Sequence, residues 1–530
     1  MRSLLLLVFV LAAVPALAYD PPIGIPEPPF GIDETTDDNT YDYWVDNSGS
    51  CSDSGNGSPG SPRCTIPTTF SAGEICQVRG GPYNLPSDPT FTGNGTSGSP
   101  VYLRGPTSPA SQVVLQQASN DRVTLYGSYF IFENFNLHAT ATNSGGDHIS
   151  VRYNDIGPHP NRNGNNTYAD YVVYYDNHIH DCGNYAVPDD RHGIYAGSTT
   201  DYLWILENEI EMCSGDGIQF CHNCAEPGPQ WVYIGGNNIH ENIENAVDFK
   251  TSEHIVISQN EMWGHVPAGG SDGTAVLIGS NGLDDQAVDI WVIFNLIRNN
   301  TKGIRIEAAA NGSGSWGPAY ILGNVIRDCT SAAIQFDKGG APIHIVNNTI
   351  ENCDHFLRAA WRDNFDLVIY DNIAVDLAGS IYDDVYIEPS AVADVSDLDR
   401  TIFYQGGGSL DIAWGGSTAD TYTDTADLQA NFEGGSENYL EDPDFVDQAN
   451  HDFNLEDTSP AIDIGSESSI YDTYFSTYGE SIEVDYDGVS RPQGSGWDAG
   501  AFEYESGAPA GPGNVTIHYS CPAGMCIPVQ

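Results

Sequence analysis

The sequence predicts an all-β protein that winds as a solenoid, a parallel β-helix, and three observations predict it. A marker, Asn followed two residues later by an apolar residue (Ala in the last case), recurs at Asn154, Asn177, Asn208, Asn237, Asn260, Asn295, Asn324, Asn348 and Asn372, with shortest spacings of 23 and 24 residues. Between Asn237 and Met262 lie two short alternating runs, AVDFK at 246–250 and HIVIS at 254–258. Alternation of apolar and polar residues is the period of a strand. Aligning the runs coil on coil gives a continuous inward column, Ile194, Ile218, Val247, Val276, Ile304 and Ile334. A fixed period of this length is the signature of a stacked repeat.

In chain order, residues 1–18 read as a signal peptide. Arg2 opens it, an apolar core follows, and Ala16-Leu17-Ala18 offers a small-x-small cleavage site. Residues 19–43, rich in Pro, Asp and Thr, read as a linker. Residues 44–125 are expected to form an N-terminal cap and the first coils, because the end of a solenoid is an unpaired sheet edge. The regular β-helix is expected over 126–378. Irregular C-terminal coils and a closing segment follow over 379–505, then a tail over 506–530 with Cys521 and Cys526.

The marker asparagines suit corners. Asn tolerates left-handed backbone geometry, and its amide can bond to the same amide one coil away. Five residues after a marker come Cys182, Cys213, Cys329 and Cys353, in two pairs of adjacent coils. Each pair is either a disulfide or two stacked buried thiols.

Composition narrows the partners. Acidic residues number 73 against 18 basic, for a net charge of −55, so the surface repels nucleic acid and attracts divalent cations. No run after the signal peptide is apolar for long enough to span a membrane. Eleven cysteines suit an oxidising compartment, so the expected location is secreted or cell-surface, and the expected state is a monomer.

A solenoid stacks outward side chains in columns on each flank. The outward column beside the inward one is Tyr195, Gln219, Asp248, Leu277, Arg305 and Gln335. Two positions on come Gly197, Cys221, Lys250, Gly279, Glu307 and Asp337, and His192, Asp216 and Asn245 lead into the strands. One strand face thus gathers acids, a lysine and an arginine.

This pattern resembles the right-handed β-helix carbohydrate-active enzymes: pectate lyases, alginate and chondroitin lyases, and β-helical glycoside hydrolases. Asp248-Phe249-Lys250 is similar to a strand of some calcium-dependent pectate lyases in which a lysine is the base. Residues 440–504, with Asp485-Tyr486-Asp487-Gly488, Arg491-Pro492 and Asp498-Ala499-Gly500-Ala501-Phe502-Glu503, resemble the closing segment of secreted bacterial β-helix proteins, including the choice-of-anchor Q group.

The resemblance implies a right-handed coil and β-elimination on an acidic, uronic-acid polysaccharide. In that chemistry the C5 proton leaves once a cation or donor neutralises the adjacent carboxylate. Lys250 is then the expected base and Arg305 a carboxylate binder. Asp216, Asp248 and Glu307 are expected Ca²⁺ ligands, and His192, Tyr195 and Gln219 substrate contacts.

Rival readings stay open. Lys250 can be a plain ion pair with Asp248 or Glu307. Asp189, Asp190 and His192-Gly193 are similar to the paired Asp and the Gly-His-Gly of polygalacturonases, which hydrolyse with two carboxylates; the alternative is a polar loop. Cys221-His222-Asn223-Cys224 is a metal half-site or a tight disulfide loop. Tyr168, Tyr171, Tyr174, Tyr175 and Tyr195 are a sugar-stacking platform or ordinary strand aromatics. A non-catalytic glycan-binding or adhesion rod is the reading from another class.

Overall fold

The computed structural model describes residues 19–505, apart from 36–38, 56, 109–111, 118–120, 187–188, 222–227, 266, 268–270, 280–286, 308–316, 338–341, 360–365, 378–383, 388–394 and 416–417. The expected signal peptide and tail lie outside the described residues, as do His222, Asn223 and Cys224.

Each lap of the chain contributes three strands to a right-handed parallel β-helix. One lap runs Ile218–Phe220, Gln230–Gly235 and Asn238–His240. The next runs Val247–Phe249, Ser252–Ser258 and Glu261–Trp263. These positions define a first, second and third flank. Each pairs in parallel with its counterpart one lap on, Ile218 with Val247, Val232 with Ile255 and Ile239 with Met262. The sequence showed only two strands per lap. The third is the residues just after the marker Asn, and three residues are too few for a period to register.

The marker asparagines form an unbroken ladder. The Oδ1 of Asn260 accepts from both the N–H of Asn237 (3.0 Å) and its Nδ2 (2.9 Å). The same pair of bonds links Asn154 to Asn177 and recurs at every step to Asn372. All nine are buried, so the ladder satisfies polar groups that the corner would otherwise bury unpaired. The left-handed residue is not the Asn but the one before it: Asp176, Glu207, Gly236, Gln259 and Phe294 all have positive φ.

The inward column falls in the predicted register, Ile194–Ile218–Val247–Val276–Ile304–Ile334, and each member is fully buried. The four paired thiols stay reduced and buried inside the coil. Stacked residues about 4.8 Å apart carry parallel Cβ vectors, which do not converge as a disulfide requires. Cys51 and Cys64 are joined by a disulfide, in a loop near the N-terminus.

The second flank is buried on both faces, which explains its near-continuous apolar runs. A second core there gathers Trp204, Tyr233, Val256, Trp291 and Ile293 with Ile25 and Ile32 from the N-terminal segment and Tyr471 and Tyr474 from the helix Ser469–Tyr478. Residues 19–34, which composition marks as a linker, run along this flank as a strap. Arg152 donates to the carbonyls of Gly31 and Ile32, and Trp204 to that of Pro26. The C-terminal coils are irregular: Leu410–Trp414 pairs antiparallel with Asp420–Tyr422. The second flank is therefore closed, which leaves the first and third flanks to carry chemistry.

Candidate functional site

The first flank holds the residues singled out from the sequence. Its outward column runs Tyr195–Gln219–Asp248–Leu277–Arg305–Gln335, each the ladder partner of the next. Although they point away from the core, Gln219, Asp248, Leu277 and Gln335 are buried.

Beside this column lies a knot of carboxylates around one histidine and one lysine. Asp216 is fully buried, and its Oδ1 accepts from the backbone and side-chain N–H groups of Asn245 one coil on (3.0 and 2.8 Å). Its Oδ2 has no hydrogen bond but lies 3.3 Å from His192 Nδ1. That same Nδ1 accepts from the Asp216 N–H at 3.1 Å. It can do so only while unprotonated; once charged it donates to the carboxylate instead. Burial lowers the His192 pKa, while its contact with Asp216 and the Asp216, Asp190 and Glu244 charges raise it, and the net shift is upward.

Asp248 Oδ2 pairs with Lys250 Nζ at 2.7 Å, and its Oδ1 is buried without a hydrogen bond. Burial and the Asp216 charge push the Asp248 carboxyl up to about 7, and push Glu244, in the turn just before, up to about 8. Lys250 is raised, because Asp248, Asp216 and Glu307 outweigh its burial. A Cβ at Gly279, one coil on, would stand 3.5 Å from Lys250 Nζ, so the missing side chain leaves the ammonium an open side.

Arg305 and Glu307 lie on the same flank, two coils from Asp248, in a separate ion-pair network. Arg305 is clamped by Asp337 (2.5 Å), by Glu307 (3.1 Å) and by Asp272, which also holds Lys302 at 2.7 Å. The structure thus brings Asp216, Asp248, Lys250 and His192 together, with Tyr195 and Gln219 on the coils before. It commits Arg305 and Glu307 to each other. Asp189 is held by Ser214 Oγ (2.5 Å) and the Asn184 N–H, which fits a loop-fixing role, while Asp190 is exposed 3.4 Å from His192 Nε2.

Of the five tyrosines, Tyr174 is in the core and Tyr175 packs in the second-flank core, so neither can stack on a sugar. Tyr171 is sandwiched between His148 (4.6 Å) and Tyr202 (4.5 Å). Tyr168 and Tyr195 are neighbours on the first flank, with ring centroids 6.4 Å apart. Cys221 is disulfide-bonded, which removes it from a metal site.

Two participants escaped the sequence reading: Glu244 and Asp272. Glu244 and Asp272 sit in turns rather than strands, where no alternation marks them. The one signal was their position just before the first-flank strands.

A second cluster, unforeseen, occupies the third flank: Asp155, His178 and His180, with Glu211, His240 and Glu241 beside them. Among the described residues, no helix is long and apolar enough to cross a membrane.

No family model and no curated protein matches the chain. Solved structures are similar in part. Pectate lyase Pel9A is 16% identical with a TM-score of 0.39 over 87% of this chain and 96% of its own. A rhamnogalacturonan lyase is 16% identical with a TM-score of 0.40 over 63% of this chain and 87% of its own. The A-module of the Azotobacter vinelandii mannuronan C-5 epimerase AlgE4 is 14% identical with a TM-score of 0.36 over 55% of this chain and 89% of its own. Likeness at this level is one of winding and not of chemistry.

Proposed function

We propose that the first flank binds an acidic polysaccharide and cleaves it by Ca²⁺-assisted β-elimination, with Lys250 as the base. The observation that carries this reading is the crowding of Asp216, Asp248 and Glu244 around Lys250. Two buried carboxylate oxygens there, Asp216 Oδ2 and Asp248 Oδ1, lack a hydrogen bond. Hard oxygen donors left unpaired in a strongly acidic chain fit a calcium ion. Glu307 does not fit that role, because Arg305 already holds it.

A Ca²⁺ held by Asp216 and Asp248 would supply the positive charge that neutralises the substrate carboxylate and acidifies C5. The protein's own residues do the rest. As long as Asp248 is bonded to Nζ, Lys250 stays an ammonium and cannot accept a proton. Once the Asp248 carboxylate is engaged elsewhere, Nζ loses that partner and its pKa falls, leaving a free amine beside the gap at Gly279. Tyr195 and Gln219 line the coils on which a sugar chain would lie. The Cys51–Cys64 disulfide supports an oxidising, extracellular setting.

One observation favours hydrolysis as a second reading. Burial and the Asp216 charge raise Glu244 to about 8 and Asp248 to about 7, which sets two carboxyls of different acidity side by side, the arrangement that acid and base catalysis requires. Incubation with pectate, alginate and sulfated galactans separates the readings. Ultraviolet absorbance from an unsaturated product supports the lyase. New reducing ends without it support the hydrolase. Neither product leaves a glycan-binding rod.

A further inference from the structure

The third flank carries a second constellation that the proposed cleavage does not use. Its strands put outward residues in two columns. Asp155, His178, Glu209 and Asn238 stack in one, and His180, Glu211 and His240 in the other. Strands about 4.8 Å apart bring such residues within reach of a shared ion. His178 and His180 stack ring on ring at 4.3 Å.

Asp155 Oδ1 lies 2.8 Å from His180 Nε2 and 3.8 Å from His178 Nδ1, so one carboxylate oxygen faces a nitrogen of each ring. The Asp155 Oδ2 is fixed by Asn136 at 2.8 Å, and the other nitrogen of His180 by Asp181 at 2.8 Å. A carboxylate behind a ligating imidazole orients the ring and raises its basicity. The far nitrogen of His178 reaches Glu211 at 2.9 Å, which joins this group to the next.

The adjoining group is centred on His240. Its side chain is 7% exposed and stacked on Trp263 at 4.3 Å. Its Nε2 is buried without a hydrogen bond, yet points between Glu209 (3.6 Å) and Glu211 (3.9 Å). A buried ring nitrogen aimed at two carboxylates and bonded to neither is the geometry left when the partner between them is missing.

We propose that this flank binds divalent transition cations of the Zn²⁺ type, through Asp155, His178 and His180 as one ligand set and Glu211, His240 and Glu241 as its neighbour. Mixed imidazole and carboxylate donors select a borderline cation of this kind over Ca²⁺. Within each set the ligand atoms lie within 4.8 Å of one another, a span that modest side-chain rotation closes.

The test is calorimetric titration of chelator-treated full-length protein with ZnCl₂ at neutral pH. Wild type should bind Zn²⁺, and millimolar Ca²⁺ should not compete. His180→Gln and His240→Gln should each weaken binding by about tenfold or more, the loss of roughly one ligand. Lys250→Ala, on the other flank, should bind as wild type does. A circular dichroism melt without metal checks that each variant is folded. Zn²⁺ should then raise the melting temperature of wild type but not of the double variant. Unchanged affinity in both histidine variants, or displacement by Ca²⁺, would overturn the assignment. Cleavage by the first flank, present or absent, bears on neither result.

Discussion

Lys250 Nζ lies 2.7 Å from Asp248 Oδ2, and the lysine stands just past the end of the strand Val247–Phe249 that carries the acid. The pair holds the lysine charged and the acid half-satisfied. If Lys250 is the base, Lys250→Ala should lower turnover by about 10²-fold or more, the usual contribution of a general base. The fold should survive, because the side chain leaves the outer face and not the core. Steady-state kinetics on whichever polymer is cut, with a melt as control, decides it. Retained turnover in the folded variant removes Lys250 from the mechanism.

Asp248→Asn tests the same pair from the other side. The neutral amide no longer stabilises the ammonium charge, so the Lys250 pKa should fall and the rising limb of the rate profile, which reports the free amine, should move to lower pH. The same variant loses one cation ligand, so it should need more Ca²⁺ for half-maximal rate. Chelation of wild type should abolish activity, and added Ca²⁺ should restore it. Full activity in excess chelator would dismiss the calcium requirement, whatever the profile.

Stability should depend on pH in a stated direction. Burial and mutual repulsion raise Asp248 to about 7 and Glu244 to about 8 in the folded protein. Unfolded, both return to the ordinary carboxylate range, about 4. The folded state therefore binds more protons between those limits. The stabilisation from these groups is complete below the unfolded value and is lost as pH rises through the folded ones. Without divalent cation, the denaturation midpoint should fall from pH 5 to pH 8 (values chosen to lie roughly inside that window). Asp248→Asn should flatten the fall. A midpoint that climbs with pH across this range, identically in both proteins, would contradict the assignment.

What the sequence disclosed and what it hid have one physical cause. The inward column, Ile194 to Ile334, and its outward neighbours were legible because a stacked repeat places like positions one lap apart, and register follows from counting. Glu244 and Asp272 were not, because turns vary in length and carry no period. The third flank went unseen for a related reason. Three-residue strands such as His178–His180 and Glu209–Glu211 are too short to alternate visibly, yet they bring the histidines together. The strap at 19–34 looked like a linker because its contacts are carbonyls given to Arg152 and Trp204, which composition does not record.

The ladder makes the last prediction the sharpest. Asn237 Nδ2 donates to the carbonyls of Ile205 (2.8 Å) and Gly235 (3.1 Å) and to Asn260 Oδ1, while its own Oδ1 accepts from the N–H of Asn208 (2.8 Å) and from Asn208 Nδ2 (3.0 Å). All of this is buried. Asn237→Ala deletes these bonds and strands the Asn208 N–H away from water. Leaving one such group unpaired costs about 1–3 kcal/mol, with further loss from the other bonds. We expect a total of about 3 kcal/mol or more in denaturant unfolding. Exposed Asn184→Ala should stay within about 0.5 kcal/mol. Asn237→Asp separates bonding from volume: the shape is kept and the acceptor remains, but three donations become repulsions around a buried charge. It should be at least as damaging as Ala. If Asn237→Ala costs no more than Asn184→Ala, the amide ladder does not hold the coils in register, and packing of the inward column must do so alone.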